Sequence, residues 1–307
     1  ALLIGIAPQG GALPEAWRRT IREAIGAGLD VWSGLHFFVG DDPEFAPLAA
    51  ERGVTIHDLR RPPPALPVAA GRARDVAATL VLTVGTDCNI GKMTAQLQIR
   101  DALRRRGQRV AFVATGQTGI LIEGWGIAVD AVVADFVAGA AEQLVVRAAR
   151  DAEIVLIEGQ GSIVHPGYSG VTLGLMHGSL PHAMIMCAQP SRTEINNNPW
   201  LPIPPLPELI RLHEAVLAPL RAAPVIGVCL NTADLDENEA RRAVTRISEE
   251  TGLPTTDPVR YDATPLADAI EAFHAARTGG KTAGPSSAPG HRSSVVCHRR
   301  VAPTADD

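Results

Sequence analysis

Short apolar runs alternate with amphipathic segments along most of the chain. The runs are four to seven residues long and rich in β-branched residues, which is typical of buried parallel strands; they span residues 2–7, 29–35, 54–59, 80–84, 110–114, 154–157, 183–187 and 225–230. The segments between them show helical spacing of apolar residues; they span residues 14–25, 43–52, 130–146, 208–220 and 236–251, with a further helix after Lys92. Such alternation predicts an α/β fold with doubly wound parallel sheets.

A proline-rich stretch divides this pattern into two unequal parts. Residues 1–61 hold one β-α-β-α-β unit, which predicts a partial, Rossmann-like N-terminal domain. Residues 62–76 are expected to form a stiff linker, because runs of proline are extended. Residues 77–278 are predicted to form a P-loop NTPase-like domain. Residues 279–307 have low complexity and are predicted to be disordered.

The strongest motif is a phosphate-binding loop between a buried strand and a helix. A glycine-bounded loop of this kind places backbone N–H groups around phosphates, and a lysine at the helix start adds a point charge. The residues predicted to contact a phosphate-bearing cofactor are Gly85, Thr86, Asp87, Cys88, Asn89, Ile90, Gly91, Lys92, Met93 and Thr94, with Asn231 and Thr232 as base or ribose contacts after a later strand.

The loop departs from the standard pattern in two respects. Five residues separate Gly85 from Gly91, where the standard loop has four. Met93 stands where Ser or Thr normally holds Mg²⁺. Thr94, about 100° further around the helix, is better placed for a phosphate oxygen. If the cofactor is Mg-ATP, Asp87 and Glu158 are the expected metal ligands.

A second motif begins with Glu158, which ends an apolar strand. P-loop proteins place a carboxylate facing Mg²⁺ or its water at such a position, so Glu158 is a predicted catalytic residue; a capping role for the next turn is the structural alternative. The following residues, 160–179, are rich in glycine and polar groups and are predicted to form a polar pocket over the phosphate loop. His165 is the predicted general base, because histidine titrates near neutral pH, and His177 is the second candidate.

Further polar residues are predicted to bind the substrate. The set comprises Gln117, Thr118, Asp135, Glu142, Gln160, Ser162, Tyr168, Ser169 and Arg192. For Asp135 and Glu142, carboxylates in an otherwise apolar helix, a solvated helix face is the alternative. Asp130 is expected to cap that helix. The proline-rich segment 196–207 is expected to be irregular, as a lid or a rigid surface loop.

Composition narrows the class of partner. A net charge of −5 argues against nucleic acid as the main partner. No charge-free apolar run of about 18 residues is present, so we expect no membrane span. The four cysteines are scattered, which predicts neither zinc nor disulfides and fits a cytoplasmic protein. The first residues lack a basic region and predict no signal peptide. We expect a small amino-acid substrate and a homo-oligomer.

Four motifs together resemble the domain-of-unknown-function 1611 family. They are the phosphate loop, DFVAGAAEQLV at 135–145, IEGQGSIVHPGYSGVTLGLMHG at 157–178 and LNTADL at 230–235. The second half is also similar to dethiobiotin synthetase, which shares the loop spacing. The resemblance implies D-glutamate N-acetyltransferase activity with acetyl-CoA as the cofactor. It also implies that an N-terminal portion found in the family is short or missing here.

Two enzymatic functions and one non-enzymatic function therefore stay open. In an acetyltransferase the loop would hold the phosphates of acetyl-CoA. Met93 favours this function, because a donor that binds without Mg²⁺ needs no metal ligand at that position. In a ligase like dethiobiotin synthetase, ATP and Mg²⁺ would bind instead. A nucleotide-binding regulatory protein without turnover is the third possibility, and the dense polar segment 160–179 argues against it.

Overall fold

The computed structural model describes residues 1–5 and 12–279. The first part of the chain is a small α/β unit with its own parallel sheet. Its three parallel strands, β1 (Leu2–Ile4), β2 (Val31–Ser33) and β3 (Ile56–Asp58), lie in the order β1-β2-β3. Two helices, α1 (Glu15–Gly26) and α2 (Phe45–Arg52), bury Ile25 and Phe45 in a core of their own. The predicted Rossmann-like N-terminal domain is confirmed.

The second part contains a six-stranded parallel sheet, whose strands are β4 (Thr79–Gly85), β5 (Val110–Val113), β6 (Ile154–Ile157), β7 (Ala183–Ala188), β10 (Val225–Leu230) and β11 (Thr255–Thr256). The strands lie in the order β11-β10-β7-β4-β6-β5. Its helices are α3 (Lys92–Arg105), α4 (Gln117–Glu123), α5 (Ala134–Ala148), α6 (Ser169–Ser179), α7 (Leu206–Leu217), α8 (Glu237–Thr251) and α9 (Thr264–Thr278). The predicted doubly wound P-loop fold is confirmed. Among these described helices, none has the length and apolarity needed to cross a membrane.

Alternate residues of the strands pack into two hydrophobic cores, one on each face of the sheet. In β4, Leu80 and Leu82 pack with α5, α6 and α7, whereas Val81 packs with α3 and α9. All seven residues of β4 are buried. A strand covered on both faces reads as a continuous apolar run, which is why the sequence locates it well.

Helix α6 corrects the prediction of a polar loop over residues 160–179. Its glycines allow α6 to lie against α5. A Cβ at Gly178 would stand 2.1 Å from the carbonyl oxygen of Ala138, and one at Gly174 would stand 2.4 Å from Val137 Cγ1. The two glycines are four residues apart and share one helix face, so they mark a close helix contact and not a flexible loop.

The segment predicted to be irregular, 196–207, instead contributes to a short hairpin. Strand β8 (Glu194–Ile195) pairs antiparallel with β9 (Asn198–Pro202). Only the residues after β9 run as irregular backbone into α7. The predicted disorder of the C-terminal tail concerns residues that, apart from Gly279, lie outside the described part of the chain.

The close contact of α5 and α6 predicts an unusual stability result. Gly178→Ala should destabilise the protein by about 1–3 kcal/mol, because the new methyl overlaps the Ala138 backbone and overpacks the interface. Gly170→Ala is the matched control on the same helix, since a Cβ there meets nothing within 4 Å. Urea denaturation measures both variants. Equal unfolding midpoints for the two variants would show that the glycine contact is not needed.

Candidate active site

A cavity of about 680 Å³ opens at the carboxyl ends of β4, β6 and β5 and against the N-terminal domain. Parallel α/β sheets place ligands at this edge. Its lining residues come from the phosphate loop, the loops after β5 and β6, the start of α6 and the N-terminal domain; they are residues 88–94, 116–118, 158–161, 167, 168, 170 and 171, with His36, Arg60 and Asp130.

The phosphate loop is built tightly around Lys92, the first residue of α3. The Lys92 ammonium is buried and donates to the carbonyl oxygen of Asp87 at 2.7 Å. Burial lowers its pKa. Gly85 has no room for a side chain, since a Cβ would stand 2.7 Å from Ile90 Cδ1 and 3.2 Å from the Cys187 carbonyl oxygen. An anion in the loop would relieve the desolvation of the ammonium, as expected of a phosphate site.

Asp87 ties the loop to the β8–β9 hairpin. Its Oδ2 accepts from Arg192 Nη1 at 2.9 Å and from the Asn196 backbone N–H at 2.8 Å, and its Oδ1 accepts from the Cys88 N–H at 2.7 Å. Asp87 is fully buried and is not part of the cavity lining. This corrects both its assignment as a Mg²⁺ ligand and the assignment of Arg192 to substrate binding, because the two side chains neutralise each other.

Glu158, directly after β6, is a buried acid of the cavity wall. Its side chain is buried, and Oε2 accepts the backbone N–H groups of Thr115 at 2.8 Å and Gly116 at 3.1 Å. Burial outweighs these hydrogen bonds and raises the pKa of Glu158 to about 7. A carboxylic acid that titrates near neutral pH in a cavity is suited to general acid–base chemistry.

The strand order fixes where Glu158 lies relative to the other walls. Strand β6 is hydrogen-bonded to β4 on one side and to β5 on the other. Neighbouring strands are about 4.8 Å apart. Glu158 therefore lies between the phosphate loop, which comes after β4, and the residues after β5, which meet the N-terminal domain.

His165 occupies a different place from the one the sequence predicted. Its ring is buried, Nδ1 accepts from the Gly167 N–H at 3.0 Å, and the ring packs on Tyr168. A neutral imidazole that accepts at Nδ1 carries its proton on Nε2 and cannot take another there. His165 is also absent from the cavity lining. His165 stabilises the loop at residues 165–168 from behind the cavity wall. This position corrects its assignment as the base.

Asp87, Cys88 and His165 bring three possible metal-ligand atoms within 4.8 Å of one another. They do not fit a metal ion, because Arg192 already pairs with the carboxylate and the imidazole offers a protonated nitrogen. Burial raises the pKa of Cys88 to about 11. The thiol is therefore neither a ready metal ligand nor a ready nucleophile.

Three further carboxylate and histidine assignments are corrected. Glu142 is fully buried and accepts from the backbone of Ala70 and from Arg72, so it fastens the linker to α5. Asp135 is exposed in the first turn of α5, and His177 is exposed in the last turn of α6. None of the three lines the cavity.

The remaining predicted residues divide between the cavity wall and its support. Those on the wall are Cys88, Asn89, Ile90, Gly91, Lys92, Met93, Thr94, Gln117, Thr118, Gln160 and Tyr168. Those beside or below it are Gly85, Thr86, Ser162, Ser169, Asn231 and Thr232. Ser162 donates to the Thr86 carbonyl, and Thr232 donates to Asp257, so their hydroxyls are used within the protein. Asn231 borders the loop, with Nδ2 3.8 Å from a Cβ built at Gly91.

The sequence predicts no site role for Arg60 and Asp130, two charged residues of the cavity wall. Arg60 donates through Nε to the Gly34 carbonyl at 2.7 Å and through Nη1 to Asp130. The predicted N-cap role of Asp130 is wrong, because α5 begins later, at Ala134. His36 Nε2 lies 4.0 Å from the same carboxylate. No local motif signals Arg60, since only the docking of the two domains brings it to the cavity.

Comparison with known proteins matches both parts of the chain to one family. The family model described as "Domain of unknown function (DUF1611_C) P-loop domain" matches residues 67–267. The model described as "Domain of unknown function (DUF1611_N) Rossmann-like domain" matches residues 1–62. The crystal structure of a DUF1611 family protein from Anabaena variabilis superposes with a TM-score of 0.85 and 46% identity; it covers 88% of this chain and 79% of that chain.

Two curated relatives are similar over most of their length. A D-glutamate N-acetyltransferase from Tritonibacter scottomollicae is 41% identical over 88% of this chain and 81% of its own. A D-glutamate N-acetyltransferase from a Pseudoalteromonas species is 37% identical over 84% of this chain and 77% of its own. The similarity thus extends across both domains and the cavity between them.

The position of Lys92 predicts a binding defect without a folding defect. Lys92→Ala should weaken the binding of acetyl-CoA or ATP, whichever the wild type binds, at least tenfold, because the charge that meets the phosphates is gone. Calorimetric titration measures it. Arg105→Ala, an exposed change on the same helix, is the control. Unchanged affinity in Lys92→Ala would refute the phosphate-loop assignment.

The raised pKa of Glu158 predicts a stability change that depends on pH. An acid whose folded-state pKa lies above its unfolded value lowers stability as pH rises from about 4.5 to about 7. Glu158→Gln removes this ionisation, so at pH 8 the variant should be more stable than wild type by up to about 3 kcal/mol, and at pH 5 nearly equal. Urea midpoints at both pH values measure the difference. A difference that is the same at pH 5 and pH 8 would contradict the buried, neutral carboxyl.

Proposed function

The chain belongs to the domain-of-unknown-function 1611 family, and we propose that it is an N-acetyltransferase that transfers the acetyl group of acetyl-CoA to the α-amine of an acidic amino acid such as D-glutamate. The observation that carries the proposal is the buried Glu158 carboxyl in a cavity that also contains a phosphate loop. The two relatives at 41% and 37% identity, both D-glutamate N-acetyltransferases, support it.

The phosphate loop suits a donor that carries a pyrophosphate but no essential metal. Met93 offers no hydroxyl at the position that holds Mg²⁺ in standard loops, and Asp87 is already paired with Arg192. Lys92 and the loop N–H groups can bind the donor's phosphates without a cation. The pantetheine arm separates these phosphates from the thioester, so the arm must lie along the cavity to bring the acetyl group past Glu158.

The reaction then needs a base for the amine and hydrogen-bond donors for the thioester oxygen. An amino-acid amine is protonated at neutral pH, and Glu158, with a pKa near 7, can accept that proton. The free amine attacks the thioester carbonyl and the C–N bond forms. As the C–S bond breaks, the nitrogen loses its second proton to the departing thiolate, which leaves as the thiol, and Glu158 gives the first proton to water. The amides of Gln117 and Gln160 line the same cavity and can donate to the oxyanion.

A Mg-ATP-dependent ligase is the second candidate, favoured by one observation. Glu158 ends the strand next to the phosphate loop, where it could face a bound Mg²⁺ or its water. Its Oε2 accepts two backbone N–H groups, which leaves Oε1 as the carboxylate atom for that purpose. The acetyltransferase needs neither ATP nor metal, so activity in the presence of EDTA separates the two functions.

The role of Glu158 predicts the pH dependence of acetyl transfer. In the wild type kcat should rise with pH through about 7, as the carboxyl loses its proton and becomes a base. Glu158→Gln should lower kcat about 10²–10⁴-fold and remove that limb, while the affinity for acetyl-CoA changes little. A thiol-release assay over pH 5–9 measures both.

Two further variants accompany this assay, one as a control and one as a test of the competing base. His177→Ala should keep the wild-type rate and profile, because that histidine is exposed and outside the cavity. His165→Ala tests the competing base. If the Glu158→Gln variant keeps the acidic limb and His165→Ala loses it, the base is His165 and the proposed mechanism is wrong.

A further inference from the structure

The N-terminal domain contributes His36 and Arg60 to the described cavity wall. We infer that Arg60 binds a carboxylate of the acceptor, with Asp130 holding the guanidinium in position. The inference rests on the proposed function for the identity of the acceptor. It adds a division of labour, in which the P-loop domain binds the donor and the N-terminal domain binds the acceptor.

The charges of the cavity wall carry this inference. Arg60 and Lys92 are the cationic side chains of the wall, and Asp130 and Glu158 are the anionic ones. Lys92 belongs to the phosphate loop, which leaves Arg60 for a second anion. Arg60 is only 5% exposed, and its ion-pair partner among the described residues is Asp130, which is itself partly exposed. A buried guanidinium with one such partner is poorly compensated, and a carboxylate in the cavity would complete the compensation.

The hydrogen bonds of Arg60 leave one nitrogen of its guanidinium group available. Nε donates to Gly34 O and Nη1 to Asp130, whereas Nη2 has no partner among the described residues. Arg60 lines the cavity, so a ligand there can reach its guanidinium. A planar guanidinium fixed at two of its nitrogens presents the third in a defined direction, which suits recognition of a carboxylate.

His36 can assist as a hydrogen-bond donor but not as a charge. Burial and the neighbouring Arg60 lower its pKa, so the imidazole is neutral at pH 7. Its Nε2 lies 4.0 Å from Asp130 Oδ2. Asp130 is thus a neighbour of both residues, and its ion pair with Arg60 holds the guanidinium at the cavity wall.

The strand order places the two ligands on either side of the base. Gln117, at the β5 end, packs against the N-terminal domain, because a Cβ at Gly34 would stand 2.9 Å from Gln117 Cγ. The phosphate loop comes after β4, two strands away, which is about 10 Å. Glu158 comes after the strand between them. An acceptor held by Arg60 therefore approaches Glu158 from the side opposite to the donor phosphates.

A purely structural role is the competing explanation for Arg60. The Gly34 and Asp130 contacts join the two domains, and their loss alone would lower stability without changing the affinity for the acceptor. The test must therefore read out acceptor binding separately from donor binding and from stability.

The experiment titrates glutarate, a dicarboxylate that lacks the amine, into the full chain without donor. Wild type should bind it, Arg60→Gln should bind it at least tenfold more weakly, and Arg60→Lys should fall between, because lysine keeps the charge but not the fork. The affinity of all three for acetyl-CoA should agree within about twofold. Arg61→Gln is the matched control, since Arg61 is more exposed, pairs with Asp41 and Asp58, and does not line the cavity.

Kinetics give a second readout on the same variants. The KM for D-glutamate should rise in Arg60→Gln by at least tenfold, with a smaller change in kcat. Wild-type affinity for glutarate in Arg60→Gln, or an equal loss in Arg61→Gln, would overturn the assignment. If Arg60→Gln does not fold, Arg60→Lys decides, and wild-type affinity there overturns it too.

Binding of acetyl-CoA and binding of glutarate test the proposed function and the acceptor site separately. A wild type that binds glutarate through Arg60 but does not bind acetyl-CoA would contradict the proposed donor and leave the acceptor site standing. A wild type that binds acetyl-CoA but not glutarate would contradict the acceptor site alone.

Discussion

The order of three parallel strands determines the site. Because β6 lies between β4 and β5, the residue that ends β6 must lie between the segments at the carboxyl ends of the other two strands. The phosphate loop is the segment after β4, and the contact with the N-terminal domain is made by the segment after β5. Glu158 is thereby fixed between a place for phosphates and a place for a second ligand. In the proposed reaction these two places hold the donor and the acceptor.

The burial that positions Glu158 also prepares it chemically. Two backbone N–H groups stabilise its charged form, but the loss of water is the larger effect and raises its pKa to about 7. A solvated carboxylate, with a pKa near 4.3, would be a poor base for an ammonium group. Above pH 7 the protein therefore carries a desolvated charge that lowers its stability. Such a conflict between stability and function is common at catalytic sites.

The fold and the phosphate loop were predictable because their signals are local. A buried strand reads as an apolar run, and Gly85, Gly91 and Lys92 are close in sequence. The errors came from residues whose role depends on distant partners. The glycines of α6 are typical of a loop in the sequence, but in the fold they allow close contact with α5. Glu142 has no partner nearby in the sequence, but in the fold it accepts hydrogen bonds from the linker. His165 is the predicted type of base, but its Nδ1 is used by the Gly167 N–H. Arg60 has no motif and reaches the cavity only when the two domains dock.

The central claim is that the phosphate loop holds an acyl donor and not a nucleotide substrate. Separate calorimetric titrations of acetyl-CoA and Mg-ATP into the full chain, each with and without EDTA, test it most directly. The account predicts one acetyl-CoA site per chain whose affinity is unaffected by EDTA, and much weaker binding of Mg-ATP. Tight binding of Mg-ATP that EDTA abolishes, with no detectable binding of acetyl-CoA, would contradict it.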